Sequence, residues 1–222
     1  MAFVQSAQIN TTGTSAALAY ASNNTGNNLL LCTFRRGGTE NPTSVTDTRG
    51  NTWTLAKQQV IETSGSQLFV YYVPSCIAGA NTVTAAFPGS GTVRMAILEY
   101  NDFGATGAVL DQVAGANNLS GSNAAPDSGP VTTTSATELL FSAAALAGTQ
   151  SFTAGTNYTE REEVVQKLST EERAVTTTGT YNGTWTIPAG DEWGCILATF
   201  MAAPSAGSLI WPVRMPAALL VR

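Results

Sequence analysis

Apolar residues are concentrated most densely between residues 67 and 100, in three runs at 68–73, 82–87 and 93–100. The runs are rich in Val, Ile, Tyr, Phe and Thr, and short segments containing Pro, Gly and Asn separate them. This pattern predicts three consecutive antiparallel strands, with a turn at residues 88–91 between the second and the third. An apolar sheet of this kind needs a second sheet to cover it, so the pattern predicts sheet packing on sheet.

Further short strands are predicted before this region. Residues 29–34 predict a fully buried strand, since five of the six are apolar and none is charged. Residues 3–9 and 16–21 predict a first pair of strands. Residues 44–47 and 52–56 predict a hairpin, because the turn between them contains a glycine that can take a positive φ angle.

Two later segments are less regular. Residues 101–130 are rich in Gly, Asn, Ser and Ala, and they predict a long surface loop of the kind that contacts partners, with a strand only at 109–113. Residues 158–178 are the most highly charged part of the chain. A helix is one interpretation, because Glu, Lys, Gln and Leu favour helices. We prefer a two-stranded ribbon with a charged outer face, since charge protects an exposed edge from pairing with other chains.

Short strings in the first half of the chain recur in the second half. Asn28-Leu-Leu-Leu-Cys32 resembles Glu138-Leu-Leu-Phe-Ser142, and Met95-Ala-Ile-Leu98 resembles Cys195-Ile-Leu-Ala198. Similar pairs begin at Gly50 and Gly155 and at Asn81 and Asn182. Two diverged, interleaved halves of this kind predict an all-β fold, an antiparallel two-sheet sandwich that is jelly-roll-like. Chance agreement between strand-rich strings is the alternative interpretation of the repeat.

Residues 204–222 form a C-terminal segment that is strongly apolar but contains Pro204, Pro212 and Pro216, which disfavour an isolated helix or strand. Contiguous apolar surface usually marks an interface. We therefore expect its large apolar residues to bind a partner: Leu209, Ile210, Trp211, Val213, Met215, Leu219 and Leu220. The sequence predicts a β-sandwich domain at residues 1–203 and an arm at 204–222. The arm either covers its own sandwich as a strap or, as we prefer, docks on a neighbouring subunit.

Composition narrows the range of partners. Charged residues make up 11% of the chain, the net charge is −5, and no basic cluster is larger than Arg35-Arg36, which argues against nucleic acid. No apolar run approaches the roughly 20 residues of a membrane span, so no membrane contact is expected. The first residues lack the charged and apolar regions of a secretory signal, so we expect synthesis in a cytoplasm.

Candidate chemistry is sparse. The chain contains no histidine, which removes His-based nucleophile pairs, acid–base groups and metal ligands. Cys32, Cys76 and Cys195 lack metal-ligand spacing and lie in or beside apolar runs, so we interpret them as small buried hydrophobic residues, with one disulfide as the alternative. We expect no cofactor and no metal.

Carboxylates are the remaining route to catalysis, and Glu99 is distinctive because it interrupts the apolar run at 93–100. Strand alternation places it beside Ile97 and opposite Leu98 and Tyr100. A partly buried carboxylate paired with Arg94 or another cation is the favoured interpretation, and a catalytic acid is the alternative. The other carboxylates predict a solvated strand face.

Two further features have both a structural and a binding interpretation. The turn from Asp47 to Asn51 faintly fits a calcium site, but its set of oxygen ligands is thin. Five aromatic residues in predicted strands are interpreted as core side chains, with a sugar-stacking platform as the alternative: Trp53, Tyr71, Tyr72, Trp185 and Trp193.

The order of several strings carries a family resemblance: SVTDTRGNTWTLA, LFVYYVPSCIAGANTVTAAF, VRMAILEYNDF, TELLFSAAALAG and FTAGTNYT. It resembles β-sandwich modules found in minor tail and other structural proteins of tailed bacteriophages, and in some large bacterial surface proteins. The resemblance covers residues 28–201 and does not extend to the C-terminal segment. It implies a sandwich fold with a structural or adhesive role, and it carries no catalytic residues.

These observations predict a non-enzymatic virion structural protein, either a capsid decoration (cement) subunit or a tail-surface subunit. It is expected to assemble with copies of itself and with a capsid or tail protein, through its loops and its C-terminal arm, as a small cyclic homo-oligomer on the virion surface. The alternatives are a carbohydrate-binding or adhesive module, and a carboxylate-dependent glycosidase or lyase.

Overall fold

The computed structural model describes residues 1–103 and 107–202, and these contain strands but no helix. The strands are β1 (Ala2–Ala19), β2 (Leu29–Arg36), β3 (Ser44–Asp47), β4 (Thr54–Val60), β5 (Gln67–Val73), β6 (Thr82–Asn101), β7 (Ala108–Asn123), β8 (Val131–Thr132), β9 (Glu138–Leu146), β10 (Thr153–Ala154), β11 (Thr159–Val164), β12 (Leu168–Val175), β13 (Thr180–Tyr181), β14 (Trp185–Thr186) and β15 (Asp191–Ala202).

Two antiparallel sheets make up most of the molecule. The first has the strand order β1-β6-β2-β5-β4, with β3 also paired to β6, and the second has the order β11-β12-β9-β15-β7. Buried apolar side chains from both sheets form one core between them, including Leu31 and Leu98 from the first sheet and Phe141 and Phe200 from the second. The prediction of an all-β antiparallel two-sheet sandwich is confirmed.

The two sheets repeat one strand order. Counted from β7, the second sheet runs β7-β15-β9-β12-β11, which matches β1-β6-β2-β5-β4 strand for strand. The similar strings fall on equivalent strands, β2 with β9 and β6 with β15. The edges also correspond, because β1 lies against β11 and β4 lies against β7. The halves are therefore related by an approximate two-fold axis, but they are not interleaved as we predicted, since each half builds a whole sheet.

Each sheet carries further apolar clusters on its outer face. The cluster on the first sheet contains Phe34, Phe69 and Met95, and residues of β3 and of the far parts of β1 and β6 cover it. On the second sheet, Trp185 and Trp193 belong to a corresponding cluster near the short β10–β14 pair. The central strands β2 and β9 are consequently buried along their whole lengths, as we predicted for residues 29–34.

The turn predicted at residues 88–91 does not form. Residues 82–101 form one strand, β6, which pairs along β1 with an irregularity near Gly13, so the two segments that we predicted as separate strands at 3–9 and 16–21 are also continuous. The irregularity surrounds the buried guanidinium of Arg36, whose Nη2 donates to the Gly89 carbonyl at 3.0 Å. A Cβ atom on Gly91 would overlap Nη1 of Arg36. The glycines here allow a close approach instead of a chain reversal.

Three further expectations from the sequence, a hairpin, the order of three strands and a long loop, are wrong. β3 pairs with β6 and β4 pairs with β5, so the hairpin predicted at 44–56 does not form. β5 and β6 are separated by β2, so the three runs of residues 67–100 are not a meander. The segment predicted as a long loop contains the 16-residue strand β7, which pairs along β15. The charged segment does form the β11–β12 ribbon that we preferred to a helix.

Candidate functional site

The candidate catalytic residue Glu99 is fully buried and lies on the outer face of the first sheet. One carboxylate oxygen accepts hydrogen bonds from Asn24 Nδ2 at 2.8 Å and Gln5 Nε2 at 2.6 Å. The other accepts from the Thr25 backbone N–H at 2.9 Å and Asn28 Nδ2 at 2.6 Å. The predicted burial and orientation are correct, but the predicted pairing with Arg94 or another cation is wrong, because backbone and amide donors take that role. Glu99 holds the segment before β2 against the sheet.

In the second half of the chain, carboxylates also hold the segment that precedes the central strand, here β9. Glu138, whose position corresponds to that of Asn28, is fully buried and accepts from the Ser135 backbone N–H at 2.9 Å. Asp111 accepts from the Thr134 backbone N–H at 2.8 Å. Burial raises the pKa of the Glu138 carboxyl. In both halves, therefore, buried carboxylates fasten the segment that precedes the central strand, which is a structural use of these groups.

Glu171 was missed by the sequence reasoning, which placed it on a solvated strand face. It is fully buried, and one oxygen accepts from the Gly155 backbone N–H at 2.8 Å. Burial, only partly offset by hydrogen bonds to the carboxylate, raises the pKa of this carboxyl to about 8. The signal that could have revealed it is the repeat, because β12 corresponds to the interior strand β5.

The nearest thiol to this carboxyl has no route to nucleophilic chemistry. Cys195 is fully buried, and burial raises the pKa of its thiol, so the sulfur stays protonated at neutral pH. Its Sγ lies 3.7 Å from Ser142 Oγ, which accepts a hydrogen bond from Trp185 Nε1 at 3.3 Å. All three cysteines are buried and unbonded, as expected for small hydrophobic residues, and the alternative of one disulfide is wrong.

The Asp47 turn is filled by protein donors. Oδ1 accepts from the backbone N–H groups of Arg49 and Asn51, each at 3.0 Å. Oδ2 accepts from Asn51 Nδ2, Trp53 Nε1 and Asn81 Nδ2. Burial acts to raise the pKa of Asp47, but these hydrogen bonds outweigh it and leave the pKa below its ordinary value. Its lone pairs are thus used within the turn, and residues 1–103 and 107–202 contain no cluster of three or more His, Cys, Asp or Glu side chains suited to a metal ion.

The five aromatic residues considered as a sugar platform do not share one exposed surface. Trp185 and Trp193 are buried in the outer cluster of the second sheet. Trp53 and Tyr71 pack against the outer cluster of the first sheet, whereas Tyr72 packs against the central core and contacts Phe200. These side chains serve the apolar clusters. Separately, no helix long and apolar enough to span a membrane occurs among the described residues.

Exposed apolar side chains are concentrated where β4 lies against β7, a surface that we call the β4–β7 seam. It contains Leu55 and Val60 of β4 and Val113 and Leu119 of β7, which are between 37% and 42% exposed. The two strands are in direct contact, since Asn117 Nδ2 donates to the Val60 carbonyl at 3.2 Å. The Thr63 hydroxyl similarly donates to the Leu119 carbonyl.

Strand register places the apolar side chains of the seam on two different faces. Leu55 is paired with Tyr71 and lies, like Val60, on the outer face of the first sheet. Val113 is paired with Ala198 on the inner face of the second sheet. Two polar side chains of β4, Lys57 and Gln59, lie directly beside Gly115 of β7.

The pseudo-equivalent contact between β1 and β11 is different in character. The Ser6 hydroxyl donates to the carboxylate of Glu162 there, and the Arg161 guanidinium lies 4.0 Å from the centre of the Phe3 ring. Val4 is its exposed large apolar residue on β1, at 40%. Among the described residues, the β4–β7 contact thus has more exposed large apolar side chains than the β1–β11 contact.

The free edges of the two sheets also differ in charge. Among the strands that the structure describes, β7 pairs with β15 alone, and its 16 residues include one charged side chain, Asp111. In the same part of the chain, β1 pairs with β6 alone and contains no charged residue. The edge strand β11 carries Glu160, Arg161, Glu162 and Glu163 in six residues. Because charge is the common protection of an edge, β1 and β7 are the edges open to pairing with another strand.

The residues predicted to bind a partner lie outside the described residues, so that prediction and the boundary of the arm stay predictions. They are Leu209, Ile210, Trp211, Val213, Met215, Leu219 and Leu220. Comparisons found no protein-family model, no curated protein and no solved structure that matches this chain.

Proposed function

We propose that this protein is a non-enzymatic structural subunit of a virion, a capsid decoration or tail-surface protein that assembles with copies of itself through its apolar C-terminal segment. The observation that carries the proposal is the β4–β7 seam, where the long and almost uncharged edge strand β7 and its neighbour β4 expose four large apolar side chains. A surface of this kind is costly to leave in water and is the usual mark of an interface. The resemblance to sandwich modules of tailed bacteriophages supports the virion as the place of assembly.

The carboxylates support a role without catalysis. Both oxygens of Glu99 and of Asp47 accept hydrogen bonds from backbone and side-chain donors of neighbouring segments, and one oxygen of Glu138 accepts from the Ser135 backbone N–H. A general acid or base must instead be within hydrogen-bond reach of a substrate proton. With no histidine in the chain, these groups were the main candidates for acid–base chemistry.

Immunogold electron microscopy tests the proposal. Antibody raised against the full-length protein is applied to particles released from cells that carry the gene. We expect gold at regular positions on the capsid or tail of virions. Gold found only on unassembled protein, or polysaccharide cleavage by the purified protein that is lost in Glu99→Gln, contradicts the proposal.

A further inference from the structure

We propose that the C-terminal segment of a second copy of this chain adds to the free edge of β7 as an extra antiparallel strand and covers the β4–β7 seam. The inference rests on the proposed self-assembly and names the surface and the segment that mediate it. Three observations carry it: the open edge, the apolar seam beside that edge, and the spacing of prolines and apolar residues in residues 204–222.

The edge of β7 is suited to accept a strand. In an edge strand, alternate backbone N–H and C=O groups face away from the sheet and need partners. Within residues 1–103 and 107–202, no strand pairs with β7 on that side, and the composition of β7 offers little charge to repel one. Gly115 brings β7 close to β4, because a Cβ atom there would lie 2.6 Å from Lys57 Cε. The two strands are therefore in close contact, with the Lys57 side chain between them.

The prolines of the segment are spaced for an edge position. Successive residues of an extended strand direct their backbone groups to opposite edges, so residues separated by an even number share an edge. Pro204, Pro212 and Pro216 are all at even positions. Their missing N–H groups would all lie on the same edge, and the odd-numbered residues keep the opposite edge free for pairing. Proline within sheets is found on edge strands with its nitrogen away from the partner, which is this arrangement.

The side chains of the segment alternate in the same register. In an extended conformation, the odd-numbered residues would share one face, and between 208 and 216 these are Leu209, Trp211, Val213 and Met215. The even-numbered face includes Ser208, Ile210 and Arg214. A strand with this pattern pairs through one edge and buries its more apolar face beside the exposed Val113 and Leu119 of β7.

The direction of pairing favours a second copy over the same chain. Every strand pair of the two sheets is antiparallel. β15 ends at Ala202, which pairs with Ala108, the first residue of β7. A segment that continued directly from Ala202 along the free edge would run parallel to β7. The segment of a neighbouring copy is free to run antiparallel, the pairing that is more stable per residue.

Two pairs of full-length variants test the proposal by light scattering across a concentration series. Leu209→Pro places a proline on the edge that would pair with β7, whereas Ile210→Pro places one on the edge that already holds the three prolines. Val113→Asp puts a charge on the seam, and Val4→Asp puts one on the other uncharged edge, at a residue of similar exposure. We expect Leu209→Pro and Val113→Asp each to weaken self-association at least tenfold. Ile210→Pro and Val4→Asp should stay within threefold of the wild type.

Mixing the two defective variants identifies the source of the segment. Val113→Asp retains an intact segment and Leu209→Pro retains an intact seam, so together they should form mixed oligomers that neither forms alone. Equal effects of Leu209→Pro and Ile210→Pro overturn the added strand. If Val113→Asp assembles as the wild type does, the contact between copies lies elsewhere. That result overturns this inference and leaves the proposed function standing. A wild-type chain that is monomeric at every concentration overturns both.

Discussion

At the scale of single residues, the molecule places charged groups inside its apolar layers and gives them hydrogen bonds to backbone, to neutral side chains or to an opposite charge. Arg36 is 1% exposed, and its guanidinium lies beside backbone carbonyls, the carboxylate of Glu40 and the ring of Phe87. Glu99 is surrounded by amide groups, and Glu171 has a raised pKa. Such groups are costly to bury without partners, so substitutions around them should have large effects on stability.

Gly91→Ala tests the close approach of Arg36 to β6. The added methyl group would overlap the guanidinium, and moving that group would break its hydrogen bonds to buried carbonyls. We expect a loss of about 2–4 kcal/mol in the free energy of unfolding, measured by urea titration. Gly13→Ala is the matched control, since Gly13 pairs with Gly91 but a methyl group there meets only ordinary contacts. Equal stabilities of the two variants would contradict this account.

Glu171→Gln tests the buried carboxyl. Its pKa is about 8 in the folded protein against 4.5 ordinarily, so the folded state holds a proton that the unfolded state releases between these values. Wild-type stability should therefore lose a contribution as the pH rises from 4.5 to 8, of up to roughly 4–5 kcal/mol for a shift of this size. Glu171→Gln has no ionisable group at this position, so its stability should not fall with pH in this way.

Urea titrations of both proteins at several pH values measure the difference. We expect near-equal stability at pH 5 and a growing advantage of Glu171→Gln up to pH 8, with no further change above. An advantage that does not vary with pH would show that the carboxyl titrates normally.

At the scale of elements, the strands that could be predicted are those whose side chains carry the pattern. β2 is buried along its whole length and was located closely from the apolar residues at 29–34, and the β11–β12 ribbon followed from its charges. Only residues 109–113 of β7 were predicted as a strand, because the small polar residues that follow them form no apolar pattern and are held by backbone pairing to β15. The pairing partners of β3 and β4 depend on contacts between distant residues, which local sequence does not contain.

The candidate site was predictable to the same extent. Alternation along β6 correctly placed Glu99 in the interior on the outer face. Its partners could not be predicted, because Gln5, Asn24 and Asn28 come from segments about 70–95 residues away in sequence. The seam was not predicted at all, since it arises only where the edges of two sheets meet.

Glu99→Ala tests the role of this carboxylate as a fastener for the segment before β2. Its removal would leave four donors without their acceptor, two of them on the buried Asn24 and Asn28, so we expect a loss of about 3 kcal/mol or more in unfolding free energy. The amide hydrogen of Thr25 should also exchange faster. Glu99→Gln, which keeps one acceptor oxygen, should lose less. Unchanged stability and exchange in Glu99→Ala would argue against the structural role.

At the scale of the whole molecule, two similar halves pack face to face and are each covered on the outer side, which gives one continuous stack of layers. The approximate two-fold symmetry is broken at the surface. One side has polar and charged contacts between β1 and β11, and the other has the apolar β4–β7 seam. Among the residues that the structure describes, four of the seven large apolar side chains that are exposed lie on β4 and β7.

The most direct test of the central claim is the solution mass of the full-length protein compared with that of a variant lacking residues 206–222. Light scattering should show a small oligomer for the full chain and a monomer for the variant, and both should give the same β-sheet circular dichroism and cooperative unfolding. If the shortened chain assembles as the full chain does, or if the full chain is a monomer, the claim that this segment joins copies of the sandwich is wrong.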